Sequence, residues 1–111
     1  MNHYNLSELK PFINKRGFLA KTVVSHKHIT IRNIMLDSFE SIPPHEATVD
    51  VTFIILEGSG EITIGNETYQ VKKDDIVLCK PFTLMSIRAN KEEKMSFLNI
   101  KTPGVDWLIE Q

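Results

Sequence analysis

Apolar and polar residues come in short bursts along this chain, broken every several residues by turn formers. Residues 18–24 (FLAKTVV) are rich in β-branched side chains and of strand length. Residues 25–28 are a polar connection into a second expected strand, 29–36, where Ile29, Ile31, Ile34 and Leu36 supply the apolar faces. Residues 49–56 are too apolar for simple in-and-out alternation and read as a strand buried on both sides. Residues 61–64 alternate cleanly, and Gly65-Asn66-Glu67 turns the chain into 68–71, which predicts a hairpin. Apolar runs at 76–79, 83–88 and 95–100 complete the set.

The intervening stretches are turns by composition: Arg16-Gly17, Asp37-Ser38, 41–44 (SIPP), 57–60 (EGSG), 72–75 and 89–94. Helix is expected only at the ends. Asn5 or Ser7 caps one turn over 5–9 before Pro11, and a second short turn over 105–109 is docked by Trp107 and Leu108. About eight to ten short strands with almost no helix predict an all-β sandwich or closed barrel, not βαβ units.

Composition narrows the class without naming a function. At 111 residues the chain is expected to be a single domain, 1–111, with one core. Hydrophobic residues at 41% and charged residues at 24% argue against disorder. A net charge of −1 favours neither nucleic acid nor an anionic membrane as partner. The single cysteine, Cys79, excludes an internal disulfide and fits a reducing compartment. No apolar run approaches the roughly 20 residues that span a bilayer, and MNHYNLSELKPF lacks a basic-then-apolar leader pattern. The expectation is a cytoplasmic protein.

Three segments carry a family resemblance: PPHEA, FIILEGSGEITIGNETYQV and KKDDIVLCKPFTLMSIRAN, in that order between residues 37 and 103. They resemble the small single-domain cupins of the cupin_2 type. The resemblance implies a double-stranded β-helix (jelly-roll) barrel. It also implies two motifs whose three histidines and one glutamate hold a divalent metal inside the barrel. Carried over from Gly58, the first histidine falls on His45, the second on Ala47 and the glutamate on Val51. In the second motif the opening glycine falls on Asp74, the inner glycine on Phe82 and the histidine on Met85; a shift by one puts Ser86 there instead. The glycine that opens the first motif is Phe39. One ligand of four remains, so the metal site reads as degenerate and no cofactor is expected.

In that register Ala47, Val49, Val51, Phe53 and Ile55 share a strand face, with Met85 and Ile87 entering from a neighbouring strand. This predicts an apolar ligand pocket formed by His45, Ala47, Val51, Phe53, Ile55, Met85 and Ile87. Filling of a small barrel by the same side chains is the alternative. His45 is read three ways: a structural histidine bonded to a turn carbonyl, a polar ligand contact, or an acid–base catalyst. His45, Cys79 and Met85 would make a soft N/S set suited to Cu(I), or else Cys79 and Met85 are core. His26 and His28 share a side if the backbone there is extended.

The expected function is binding of a small molecule without the usual metal. The alternative is a small cupin enzyme of isomerase, lyase or dioxygenase type using His45, with Asp50 and Tyr69 as further candidates or a metal on non-standard ligands. A homodimer through the edge strand 18–24 is the expected partner arrangement.

Overall fold

The computed structural model describes residues 2–104; the turn expected over 105–109 lies outside them. Leu6–Glu8 form one 3-10 turn, and Asn5 is its cap, its Oδ1 accepting from the Ser7 N–H at 3.0 Å. The strands follow as β1 (Phe12–Ile13), β2 (Leu19–His26), β3 (Ile29–Leu36), β4 (Ser41–His45) and β5 (Asp50–Glu57). After a bend come β6 (Ser59–Ile64), β7 (Glu67–Lys72), β8 (Ile76–Cys79), β9 (Met85–Ala89) and β10 (Met95–Thr102). They make two antiparallel sheets, ordered β1-β2-β3-β10-β5-β8 and β4-β9-β6-β7. This is the expected jelly roll, and no described helix is long and apolar enough to cross a membrane.

Most turns are local chemistry. Gly65 takes φ 59° at the first position of the two-residue β6–β7 loop, where a mirror-image turn matches the twist of the strands. Phe53, Phe97, Leu36, Ile55, Ile62, Met85 and Met95 fill the space between the sheets, with the Phe53 and Phe97 rings edge to face at 5.7 Å.

Three expectations are corrected. Residues 41–44 are not a turn but most of β4, and prolines are tolerated there because β4 is an edge strand whose N–H groups need not all enter a ladder. β5 is not buried on both sides: Val51, Phe53 and Ile55 are sealed inside, while Thr52, Ile54 and Leu56 are half-buried on the outer face. That face is apolar because Ile54 lies opposite Leu98 on one side and Ile76 on the other. Residues 18–24 are not a bare edge either. Two-residue β1 covers β2 at Leu19 and Ala20, and β1 pairs with no residue beyond them.

Candidate ligand-binding site

The site begins with a bulge. Ile42 pairs with Ile87, yet His45 pairs with Met85, so three steps along β4 match two along β9. The extra residue in the Pro43-Pro44 stretch reverses the side-chain alternation. Ile42, Met85 and Ile87 are buried, and His45 therefore joins them on the inner side, half-buried at the rim. Its Nδ1 lies 2.9 Å from the Pro43 carbonyl oxygen. A carbonyl only accepts, so Nδ1 carries the proton and Nε2 is the free position of the neutral ring. Burial holds the His45 pKa below its ordinary value; the Pro43 bond opposes this, and the positive charges of Arg16 and Lys101 add to the lowering.

The inner face of the six-stranded sheet changes character along its strands. Directly paired residues share a face. On β10 the inward positions run Met95, Phe97, Asn99, Lys101; their β3 partners run Leu36, Ile34, Arg32, Thr30. Ala20 of β2 faces Ile34, whereas Thr22 faces Arg32 and Ser25 faces Thr30. One end of the barrel is thus sealed by hydrocarbon, and the other is a polar mouth. On β3 the apolar residues Ile29, Ile31, Ile34 and Leu36 are expected to supply the apolar faces. Pairing shows that Ile29 and Ile31 face outward and Ile34 and Leu36 inward. Arg32 on β3 and Asn99 and Lys101 on β10 are polar residues at inward positions, which apolar patterning alone does not reveal. Counting back by twos from Leu36 and onward from Phe97 is the signal that finds them.

The expected pocket residues are brought together. Val51, Phe53 and Ile55 are 0% exposed, Met85 and Ile87 hardly more, and all five belong to one packed cluster on which Ala47 also rests. Met85 and Ile87 come from the opposite sheet, not from an adjacent strand. Side chains with no exposed surface leave no water-sized void against them, so the part of this set open to a ligand is His45 and Ala47. A separate groove of about 720 Å³ lies on the outer face of the large sheet, between the Leu6 turn and residues such as Leu19, Met35 and Leu56.

Other candidates are dispersed. Asp50 is exposed and points outward beside buried Val51. Tyr69 lies on β7, at the far edge of the small sheet from β4, three strand spacings or roughly 14 Å away. Its hydroxyl donates to Glu67 at 2.8 Å. Cys79 and Met85 both point inward despite Pro81 between them, and burial pushes the Cys79 thiol up, away from the thiolate that a metal prefers. His26 and His28 sit at a hairpin, where the His28 N–H donates to His26 Nδ1 at 3.2 Å. No cluster of three or more metal-type donors occurs among the described residues.

Backbone conformation supports the motif register. Among the described residues, the non-glycine residues with positive φ are Phe39 (68°), Asp74 (74°) and Phe82 (60°), the three positions where the motifs carry glycine. The retained Gly58 has φ 78°. Such conformations suit glycine because Cβ crowds the following carbonyl, and here the neighbouring chain holds them. The Phe39, Asp74 and Phe82 N–H groups donate to the carbonyls of Asn90, Ile55 and Ala47 at 2.8–3.1 Å. Placed in that register, the donor set does not fit a three- or four-ligand metal: sealed Val51 and Met85 stand where carboxylate and imidazole are needed.

Comparison with known proteins agrees with this fold. The family model for the Cupin domain matches residues 35–101, more than half the chain. KdgF from Halomonas sp. has a similar structure, with TM-score 0.86 at 15% identity, covering 96% of each chain. An RmlC-like cupin from Shewanella frigidimarina aligns at TM-score 0.84 and 9% identity over 94% of this chain and 92% of that one. A conserved protein of unknown function from Streptococcus pyogenes aligns at TM-score 0.70 and 24% identity, over 85% and 81%. No curated protein matches the sequence.

Proposed function

The chain belongs to the cupin family, and from that premise we propose that it is a binding module whose small-molecule ligand sits at the polar mouth of the barrel, without the family's usual metal. The observation that supports this is the switch in the inner face, from sealed hydrocarbon at Phe97 and Ile34 to Asn99, Arg32 and half-buried His45. A concave site with an apolar floor and a few convergent polar groups is the ordinary form of a ligand site. Ala47 forms the floor, and His45 Nε2 is a polar contact. The enzymatic alternative has less support, because His45, Asp50 and Tyr69 lie on different faces or edges.

A second copy of the chain is the protein partner we propose, docked on the outer face of the large sheet. Ile76 and Leu78 are 63% and 71% exposed there, beside Ile54 and Leu98. Four strands of eight residues with the shorter β1 and β8 give a footprint on the order of 600 Å², comparable with the roughly 800 Å² per partner of standard interfaces.

Two measurements test the ligand reading. Metal analysis of untagged, dialysed protein should find well under one equivalent of any transition metal; a near-stoichiometric metal overturns the metal-free reading. A fragment library screened by amide NMR should move His45, Ala47 and Asn99 resonances. Hits confined to the Leu6–Leu56 groove would sink the mouth as the site.

A further inference from the structure

We propose that the ligand at the mouth is a small organic oxyanion, a carboxylate or phosphate ester, held by Arg32 and Lys101 with His45 as a third polar contact. This deepens the binding reading above and rests on it.

Pairing places both cations. Asn99 lies between Arg32 on β3 and Phe53 on β5, and Lys101 lies between Thr30 and Val51. Phe53 and Val51 are sealed in the interior, so Arg32 and Lys101 project to the inner side of the sheet. They occupy diagonal positions on adjacent strands, about 7–8 Å apart at the backbone and within reach of one another's heads. That separation suits two donors closing on the oxygens of one anion, with the planar guanidinium supplying paired N–H groups. Both side chains already take part in interactions within the chain, and the anion competes for them.

The rest of the inner face fits the same charge. The inward paired positions around Arg32 and Lys101 carry no aspartate or glutamate among the described residues, and Glu67, which pairs with Ile64 on the small sheet, stands exposed at its far edge and accepts from the Tyr69 hydroxyl. Arg16 and Lys101 are close enough to His45 to act on its charge, so a positive field already covers the rim. Two hydroxyls on the same face, Ser25 Oγ and Thr30 Oγ1, are buried without a hydrogen-bond partner. Both are sealed from solvent, Thr30 being 1% exposed, so they lie behind the site and are not contacts open to a ligand.

Phe82 adds an apolar element. It is held at φ 60° by its bond to the Ala47 carbonyl, two residues from His45, and is 68% exposed. A large aromatic side chain kept in a strained conformation with its surface open to water is the type of outlier that points to function.

The test is amide NMR titration of the full chain at constant ionic strength with benzoate, phenyl phosphate and the neutral analogue benzamide. The expected result is saturable movement of His45, Ala47, Phe82 and Asn99 resonances by at least one anion, with benzamide at least tenfold weaker. Whichever anion binds more tightly identifies the source of the oxyanion. Arg32→Gln or Lys101→Gln should weaken the anion about tenfold, as loss of a charged hydrogen bond does, and Arg32→Lys should lose less. Arg16→Gln, on an exposed loop, keeps the test informative if the inner variants fail to fold; it should weaken the anion by a smaller factor through lost field alone. Equal binding of benzamide and benzoate, or unchanged anion affinity in the charge variants, overturns the oxyanion and leaves the mouth as a site for neutral ligands. If no probe moves the mouth the oxyanion is also overturned, and a silent fragment screen then removes the binding reading with it.

Discussion

Gly58 is the position where one methyl group should do most damage. A Cβ built there lies 1.9 Å from the Lys94 carbonyl oxygen and 3.0 Å from Met95 Cα, both backbone atoms that cannot rotate away. Its φ of 78° adds a conformational term. Gly17 separates the two effects, because its φ is 89° but nothing lies within 4 Å of an added Cβ. Alanine in this region costs about 1–2 kcal/mol in the folded chain, offset by about 0.4–1 kcal/mol from a stiffer unfolded chain. Gly17→Ala should therefore lose about 0.5–1 kcal/mol. Gly58→Ala carries the same loss and must also push the start of β10 outward by about an ångström, to reach the contact distances that real Cβ atoms show. Met95 and Phe97 follow at once and are 1% and 0% exposed, so the shift opens the sealed end of the core. Overpacking of this kind costs typically 1–3 kcal/mol, for a total of about 2–4 kcal/mol against a stability of roughly 5–15 kcal/mol. Urea unfolding followed by far-UV circular dichroism gives both values from the midpoints if the slopes agree. Gly58→Ala within about half a kcal/mol of Gly17→Ala would refute the argument from the carbonyl contact.

His45 gives a pH prediction. Its folded pKa lies below the unfolded value near 6.5, so the unfolded chain binds the extra proton first. The stability associated with the neutral ring is present above pH 6.5 and is lost as pH falls through the folded pKa; His45→Gln should flatten that part of the stability–pH curve. Cys79 should react slowly with a thiol reagent in the native state and rapidly in urea, since it is buried and its thiol is held protonated; rapid native reaction would place it at an open surface. Leu78→Lys should shift the chain toward 12.7 kDa in light scattering if a second copy covers the outer face. A wild-type chain that is itself monomeric at high concentration would remove the dimer.

Local chemistry is legible in this sequence because its causes are local. β3 and β8 run over the residues expected, the β6–β7 hairpin follows from Gly65-Asn66, and Gly58 anchors a motif register that the positive φ values of Phe39, Asp74 and Phe82 support. The loss of metal donors at Ala47, Val51 and Met85 is equally a matter of residue identity. Which way a side chain points is not local. A two-residue period has two faces, and only pairing with a distant strand decides which is inside. Thus Ile31 and Ile34, both apolar and three residues apart, end on opposite sides of the sheet once β3 is locked to β10. The same locking puts Arg32 and Lys101 on the inner side of the large sheet, and the β4 bulge against β9 puts His45 on the inner side of the small one. These residues are legible in the chain, but the face each one takes is a property of the folded sheets.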